Sequence, residues 1–173
     1  MRVKKAAVVL TLVLCVVCSA FSTDIGVRIG HGTIDPDFNN LGLTALAGVD
    51  IGLTKRLELN IEVMTPIVPD PLSKAVAGFE IGYSIGGNRT ADNGYAGISI
   101  NHVVSLGLFT VNLVPTYLTL RVTPLTIGTV AAGRRENFLP IGIAWNFRDN
   151  SFGLFISIIE YDHYITGTWR DYV

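Results

Sequence analysis

Apolar and polar residues alternate with period two along most of this chain. In Leu57–Val63, Leu57, Leu59, Ile61 and Val63 fall on one face and Glu58, Asn60 and Glu62 on the other. That spacing makes a half-buried strand and cannot make an amphipathic helix. The segment before it agrees: Leu43, Ala45, Ala47, Val49, Ile51 and Leu53 oppose Thr44, Gly48, Asp50 and Gly52, and Thr54, Lys55 and Arg56 join the two as a hairpin. Ile25, Val27 and Ile29 alternate with Gly26, Arg28 and Gly30. Ala75–Ile85, Ala96–Asn101, Leu118–Thr123 and Ile141–Phe147 follow the same rule. No segment has a helical period.

The breaks carry turn chemistry: Asp35-Pro36, then Pro66, Pro69 and Pro71, then GGNRTADNG at 86–94, and RDNS at 148–151. Eight strands result, at 24–32, 41–53, 57–65, 74–86, 94–104, 107–123, 137–147 and 151–164. Short connections make them an antiparallel meander. Loops near 31–40, 65–73 and 102–107 are expected to face outward. The stretch 105–137 is the hardest to parse. Leu125–Ala132 reads either as strand or as loop, and Gly133, Arg134, Arg135, Glu136 and Asn137 read as loop. Phe152–Ile159 is apolar on both faces, which a β-bulge would explain.

The composition of the two faces sharpens the fold. The non-apolar face is rich in glycine (Gly26, Gly30, Gly48, Gly52, Gly78, Gly82, Gly97, Gly142) and carries Arg28, Asp50, Glu58, Glu62, Glu80 and Arg121. Strands disfavour glycine unless space is short. An eight-stranded barrel is just wide enough inside for side chains to fill. Small residues beside charges of both signs therefore predict a crowded, paired lumen. The opposite face is aliphatic, with Tyr83, Tyr95, Trp145, Phe147 and Phe152 near strand ends, where lipid-facing bands carry aromatic girdles. Runs of ~9–11 residues are long enough to span a bilayer. The expected fold is all-β, an eight-stranded antiparallel up-and-down transmembrane β-barrel. A soluble exported barrel that carries a ligand inside is the alternative.

The N-terminus supplies the export route. Arg2, Lys4 and Lys5 precede an apolar run from Ala6 to Val17, followed by the small residues Cys18, Ser19 and Ala20. This is the order of a secretory signal, too short for a spanning helix. It divides the chain into a signal peptide at 1–22 and one barrel domain at 23–173. Leu14 before Cys15 and Val17 before Cys18 fit a lipoprotein signal poorly. Both cysteines lie in this segment, so the mature domain has no disulfide and no thiolate site. Removing its three cations from 13 Lys+Arg leaves 10 against 14 Asp+Glu, a net charge of −4 with no basic patch. Nucleic acid is thereby excluded as a partner. Only 16% of residues are charged, below the ~25% of soluble domains.

Over its mature length the pattern resembles the small eight-stranded outer-membrane barrels of the OmpA-transmembrane, OmpX and OmpW types, including spirochaetal members of that group. Such barrels end on an aromatic residue; here Tyr172 is penultimate, before Val173. The resemblance implies a bacterial outer-membrane location and a non-enzymatic structural or interaction role at the surface. It implies outer-membrane lipid, the barrel-assembly machinery and extracellular ligands bound through loops as partners, and no cofactor. A narrow small-solute channel of the OmpW kind and a rim-site lipid-modifying enzyme stand as alternatives.

Motifs for chemistry are weak. Gly82-Tyr83-Ser84-Ile85-Gly86 has the G-x-S-x-G form, but a nucleophile elbow needs a following helix and GGNRTADNG cannot start one. His31, His102 and His163 are isolated and expected near loop ends; His31 with Asp35 or Asp37 imitates a rim site. No metal-ligand spacing occurs. The acid excess among Arg28, Asp50, Glu58, Glu62, Glu80 and Arg121 would favour cations in any conduit.

Overall fold

The computed structural model describes residues 24–35, 44–54, 56–66, 75–85, 98–129 and 133–166. The signal peptide expected at 1–22 lies outside them. Among the described residues there are nine strands: β1 (Asp24–Asp35), β2 (Thr44–Gly52), β3 (Leu57–Pro66), β4 (Val76–Ile85), β5 (Ile98–Val111), β6 (Val114–Thr129), β7 (Arg134–Phe138), β8 (Ile141–Asn146) and β9 (Ser151–Thr166). Neighbours pair antiparallel in chain order, and β1 pairs with β9 to close the sheet. β7 and β8 lie end to end between β6 and β9, each pairing with both. They are one stave broken at Leu139-Pro140. The fold is a closed eight-stranded up-and-down barrel, as the alternation predicts.

The hairpin in the middle of the chain differs from expectation. Residues 102–107, expected as an outward loop, lie inside β5, and Val103 and Ser105 are buried. The turn is instead Asn112-Leu113, with Val111 opposite Val114. Apolar residues on both sides of 105 hid the continuous strand, and Pro115 masked its partner's start. Arg134–Phe138, expected as loop, is β7. The polar run Arg134-Arg135-Glu136-Asn137 is a strand whose inward face is itself polar.

Three strands on one side of the wall change which parity faces inward, and they do so at the same level. In β9, Phe155 and Ser157 point inward, then Glu160, Asp162 and Tyr164; Ile158 and Ile159 both point out. In β6, Arg121 and Thr123 give way to Thr126 across exposed Pro124 and Leu125. In β7–β8, Arg135 and Asn137 give way to Pro140 and Ala144 across Leu139, which has a φ of 51°. Leu125 pairs with Phe138, and Phe138 with Ile159, so the three extra residues are neighbours. Register slips lie on the two strand pairs where a bulged strand meets an unbulged one, at Asn101/Val103 and Phe109/Thr110 between β5 and β6 and at Ile25/Gly26 and Gly30/Gly32 between β1 and β9; those at Asn101/Val103 and Gly30/Gly32 are at the level of the seam. The bulge expected in Phe152–Ile159 is thus part of a seam. Pro124 and Pro140 both sit in it, where a missing ladder donor is tolerated.

Glycines on the inner face make room for neighbours. A Cβ on Gly82 would lie 2.8 Å from the Glu58 side chain, and one on Gly107 2.6 Å from those of Glu80 and Thr119.

The Asn112-Leu113 turn has φ of 52° and 63° at its two central residues, the left-handed pair of a two-residue hairpin that favours glycine second. Leu113 is 88% exposed, so its side chain gains little to offset a strain of ~1–2 kcal/mol. Leu113→Gly is expected to stabilise the folded chain by about 1 kcal/mol, read as a higher urea midpoint.

Candidate functional site: the charged lumen

Alternation on eight staves points one residue in two at the barrel axis, and there the polar face converges. Arg28 (β1), Asp50 (β2), Glu58 and Glu62 (β3), Glu80 (β4) and Arg121 (β6) are all buried inside, each at most 2% exposed. Arg135 (β7), Glu160 and Asp162 (β9) join them. Three guanidiniums therefore face six carboxylates.

Arg28 grips Asp162 in a bidentate pair, Nε to Oδ1 at 2.6 Å and Nη2 to Oδ2 at 3.1 Å, with Glu160 at 3.6 Å. Arg135 donates Nη1 to Glu58 at 2.5 Å, Nη2 to Asp50 at 2.9 Å and Nε to Asp162 at 3.0 Å. Arg121 donates Nη1 to Glu160 at 2.6 Å and Nη2 to Glu80. Neutral donors complete the set: Asn137 Nδ2 to Asp162 at 2.8 Å, Thr119 to Glu80 at 3.2 Å, Asn60 to Glu58 at 3.3 Å, and the Tyr164 hydroxyl to Asp50. Planar guanidinium forks suit such pairing.

Next to this network, toward the rim of turns 112–113 and 147–150, the lumen is apolar. Leu46, Met64, Phe109 and Phe155 form a buried cluster with Val76 and Tyr117 against it. Phe109 and Phe155 meet at 6.3 Å between ring centroids. The Arg121 guanidinium lies 4.6 Å from the Phe155 ring centroid, joining plug and network. The gap among Arg28, Glu58, Ser105, Arg121, Thr123 and Glu160 has no room for a water molecule. Around these residues the lumen is filled by its own side chains.

The outer face carries the aromatics. Trp145 meets Phe147 edge-on at 6.1 Å and stacks on Phe152 at 6.4 Å, beside the 147–150 turn. Tyr83 is exposed near the end of β4, toward the rim where β1 begins. Tyr95 lies outside the described residues.

The histidines are inside strands and not near loop ends. His31 is in β1. His102 is exposed on β5 and bonds the Pro124 carbonyl at 2.5 Å, and His163 lies parallel to the Tyr161 ring at 6.5 Å. Ser84 of the G-x-S-x-G sequence points inward from β4, while His102, one residue along the neighbouring strand from its partner Val103, points outward. The wall separates them, so they form no nucleophile–base pair. The Asp35 side chain and Asp37 lie outside the described residues. Among the described residues no three His, Cys, Asp or Glu side chains are arranged to hold a metal.

Sequence reasoning missed Arg135, Glu160 and Asp162. Arg135 sits in a run that reads as loop. Glu160 and Asp162 follow the bulge, which reverses the parity counted from Phe152. The alternation of Glu160, Asp162 and Tyr164 with Tyr161, His163 and Ile165 is the signal that would have found the last two.

Arg135→Met keeps volume but leaves Asp50, Glu58 and Asp162 facing one another. Removing one partner from a buried ionic set costs about 3–5 kcal/mol. Urea unfolding is expected to show that loss, and Glu58→Gln added to it is expected to recover part of it in a double-mutant cycle. In comparison with known proteins, no family model, no curated protein and no solved structure matches this chain.

Proposed function

We propose that this chain is a bacterial outer-membrane β-barrel with a structural or interaction role at the cell surface. One observation carries the reading: the barrel is inside-out relative to a water-soluble one. Its interior holds the nine buried charges named above, and Asp24 is buried as well, while its wall exposes Val27, Ile29, Ile61, Val63, Phe79, Ile81, Leu118, Leu120, Ile141 and Ile143. In water a continuous apolar surface of that size is an association hazard; in lipid it is the required exterior.

The height of the band supports this. Outward apolar residues run from Val114 to Leu125 along β6. At ~3.3 Å per residue and a ~40° tilt the band is about 28 Å tall, against ~25 Å for the apolar belt of such barrels. Closure leaves no unpaired edge, which lipid requires. Aromatics at both ends of the band, Tyr83 at one and Trp145, Phe147 and Phe152 at the other, are suited to the two interfaces.

The filled lumen favours a structural or surface role over a small-solute channel. Lipid is then the main partner of the wall, and the assembly machinery its route of insertion. Residues 36–43 and 67–74 connect strands on the same rim and are the segments offered to extracellular ligands.

Leu120→Arg tests the reading. An arginine facing the bilayer midplane is expected to destabilise the barrel by about 2–4 kcal/mol in lipid vesicles, with Leu113→Arg on the exposed Asn112-Leu113 turn as the neutral control. Fractionation of the native protein with the outer membrane and heat-modifiable migration in detergent gels are expected alongside. A Leu120→Arg chain as stable as wild type, or native protein free in the periplasm, would overturn it.

A further inference from the structure

We propose that the lumen contains a proton-binding site at the Glu62 carboxylate. The site is interior to the barrel whatever solvent surrounds the wall, so it stands apart from the membrane reading.

Glu62 is 1% exposed, and neither of its carboxylate oxygens has a hydrogen-bond partner. The other five carboxylates of the ionic network each accept at least one hydrogen bond: Asp50 and Glu58 from Arg135, Glu80 and Glu160 from Arg121, and Asp162 from Arg28 and Arg135. The nearest cationic atoms are Arg28 Nη1 at 3.9 Å and Arg121 Nη2 at 3.8 Å. Both guanidiniums bond other acids, Arg28 with Asp162 and Arg121 with Glu80 and Glu160, and the unpartnered Arg121 Nε makes no hydrogen bond to Glu62.

The charges around Glu62 do not balance. Arg28 faces it from β1, Glu80 from β4, Arg121 from β6 and Glu160 from β9. From β2 the nearest inward residue is Gly48, where a Cβ would fall 2.9 Å from that of Glu62, so no charge enters there. Three carboxylates thus share two guanidiniums, one of which is held mainly by Asp162. A buried anion without donors is costly, and a bound proton removes that cost.

Position and chemistry narrow the ligand. Met64, the next inward residue on β3, belongs to the apolar plug, so Glu62 sits at the floor of the polar half. Among the described residues no three His, Cys, Asp or Glu side chains are arranged to hold a metal ion, and the gap beside Arg28, Arg121 and Glu160 admits nothing as large as a water molecule. The cation that fits is a proton.

The test uses the full chain folded in detergent, with Glu62→Gln beside wild type. Infrared spectra report a protonated carboxyl through its C=O stretch. Thermal midpoints in sodium or potassium chloride against N-methylglucamine chloride, at equal ionic strength, report an alkali ion. A carboxylic-acid band in wild type that E62Q loses is the expected result. Wild type without such a band, a band that persists unchanged in E62Q, or an upward midpoint shift with sodium or potassium that E62Q loses overturns the proton site. Heat-modifiable migration shows whether E62Q is folded; where it is not, Glu62→Asp replaces it and is expected to shift the band.

Discussion

The closed wall depends on Asp162. Its carboxylate takes Arg28 from β1 and Arg135 from β7, so one group on β9 is tied to both of its neighbouring staves. Arg135 extends the tie across the lumen to Asp50 on β2 and Glu58 on β3. A sheet of this kind closes only when its first and last strands meet, and here the meeting also completes the charge pairing. Opening β1 from β9 would leave Arg28 and Asp162 each without its closest partner. Because side chains alternate, a slip of one residue at closure would send Asp162 outward and His163 inward. The ionic lumen is therefore a register device as well as a filling.

The seam makes that device possible. Without its extra residue, β9 would carry Ile159, Tyr161, His163 and Ile165 inward and expose Glu160 and Asp162. Without the break at Leu139-Pro140, the inward positions of Arg135 and Asn137 would continue as Leu139, Ile141, Ile143 and Trp145, and the last three of these are now on the outer face. Each bulge corrects one strand. Aligning them in three adjacent strands keeps the ladders between those strands in register and confines the slips to two boundaries. Leu139 carries the backbone strain of this arrangement at a positive φ, a cost of ~1–3 kcal/mol that the surrounding ladders must hold.

How much of this was legible follows from what periodicity can and cannot carry. Strands with unbroken alternation, β2, β3 and β4, stand where Leu43–Leu53, Leu57–Val63 and Ala75–Ile85 place them, and Asp50, Glu58, Glu62 and Glu80 could be assigned to one face from the sequence. β5 and β6 were misjoined because Leu106, Leu108, Val111 and Leu113 surround the true turn with apolar residues, and a turn of Asn112-Leu113 lacks the glycine that would mark it. Arg135 was lost because a strand whose inward face is Arg and Asn, preceded by glycine, has the composition of a loop. Parity counting fails after any inserted residue, and the insertion in β9 lies just upstream of Glu160 and Asp162.

On the membrane reading proposed above, the charges inside need no transport function to explain them. Lipid outside requires apolar residues on one parity; strand geometry then hands the other parity to the lumen. A lumen of eight staves is too narrow for bulk water, so polar residues there must satisfy one another. Glycines at 82 and 107 admit the long side chains of Glu58 and Glu80, and the guanidiniums of Arg28, Arg121 and Arg135 each bridge several acids. The plug of Leu46, Met64, Phe109 and Phe155 shows the alternative filling in the same molecule, with no pairing needed. A conduit would have required neither solution. Two fillings stacked along one axis fit a barrel that holds a rigid wall in the membrane and leaves any business with the outside to its connecting segments.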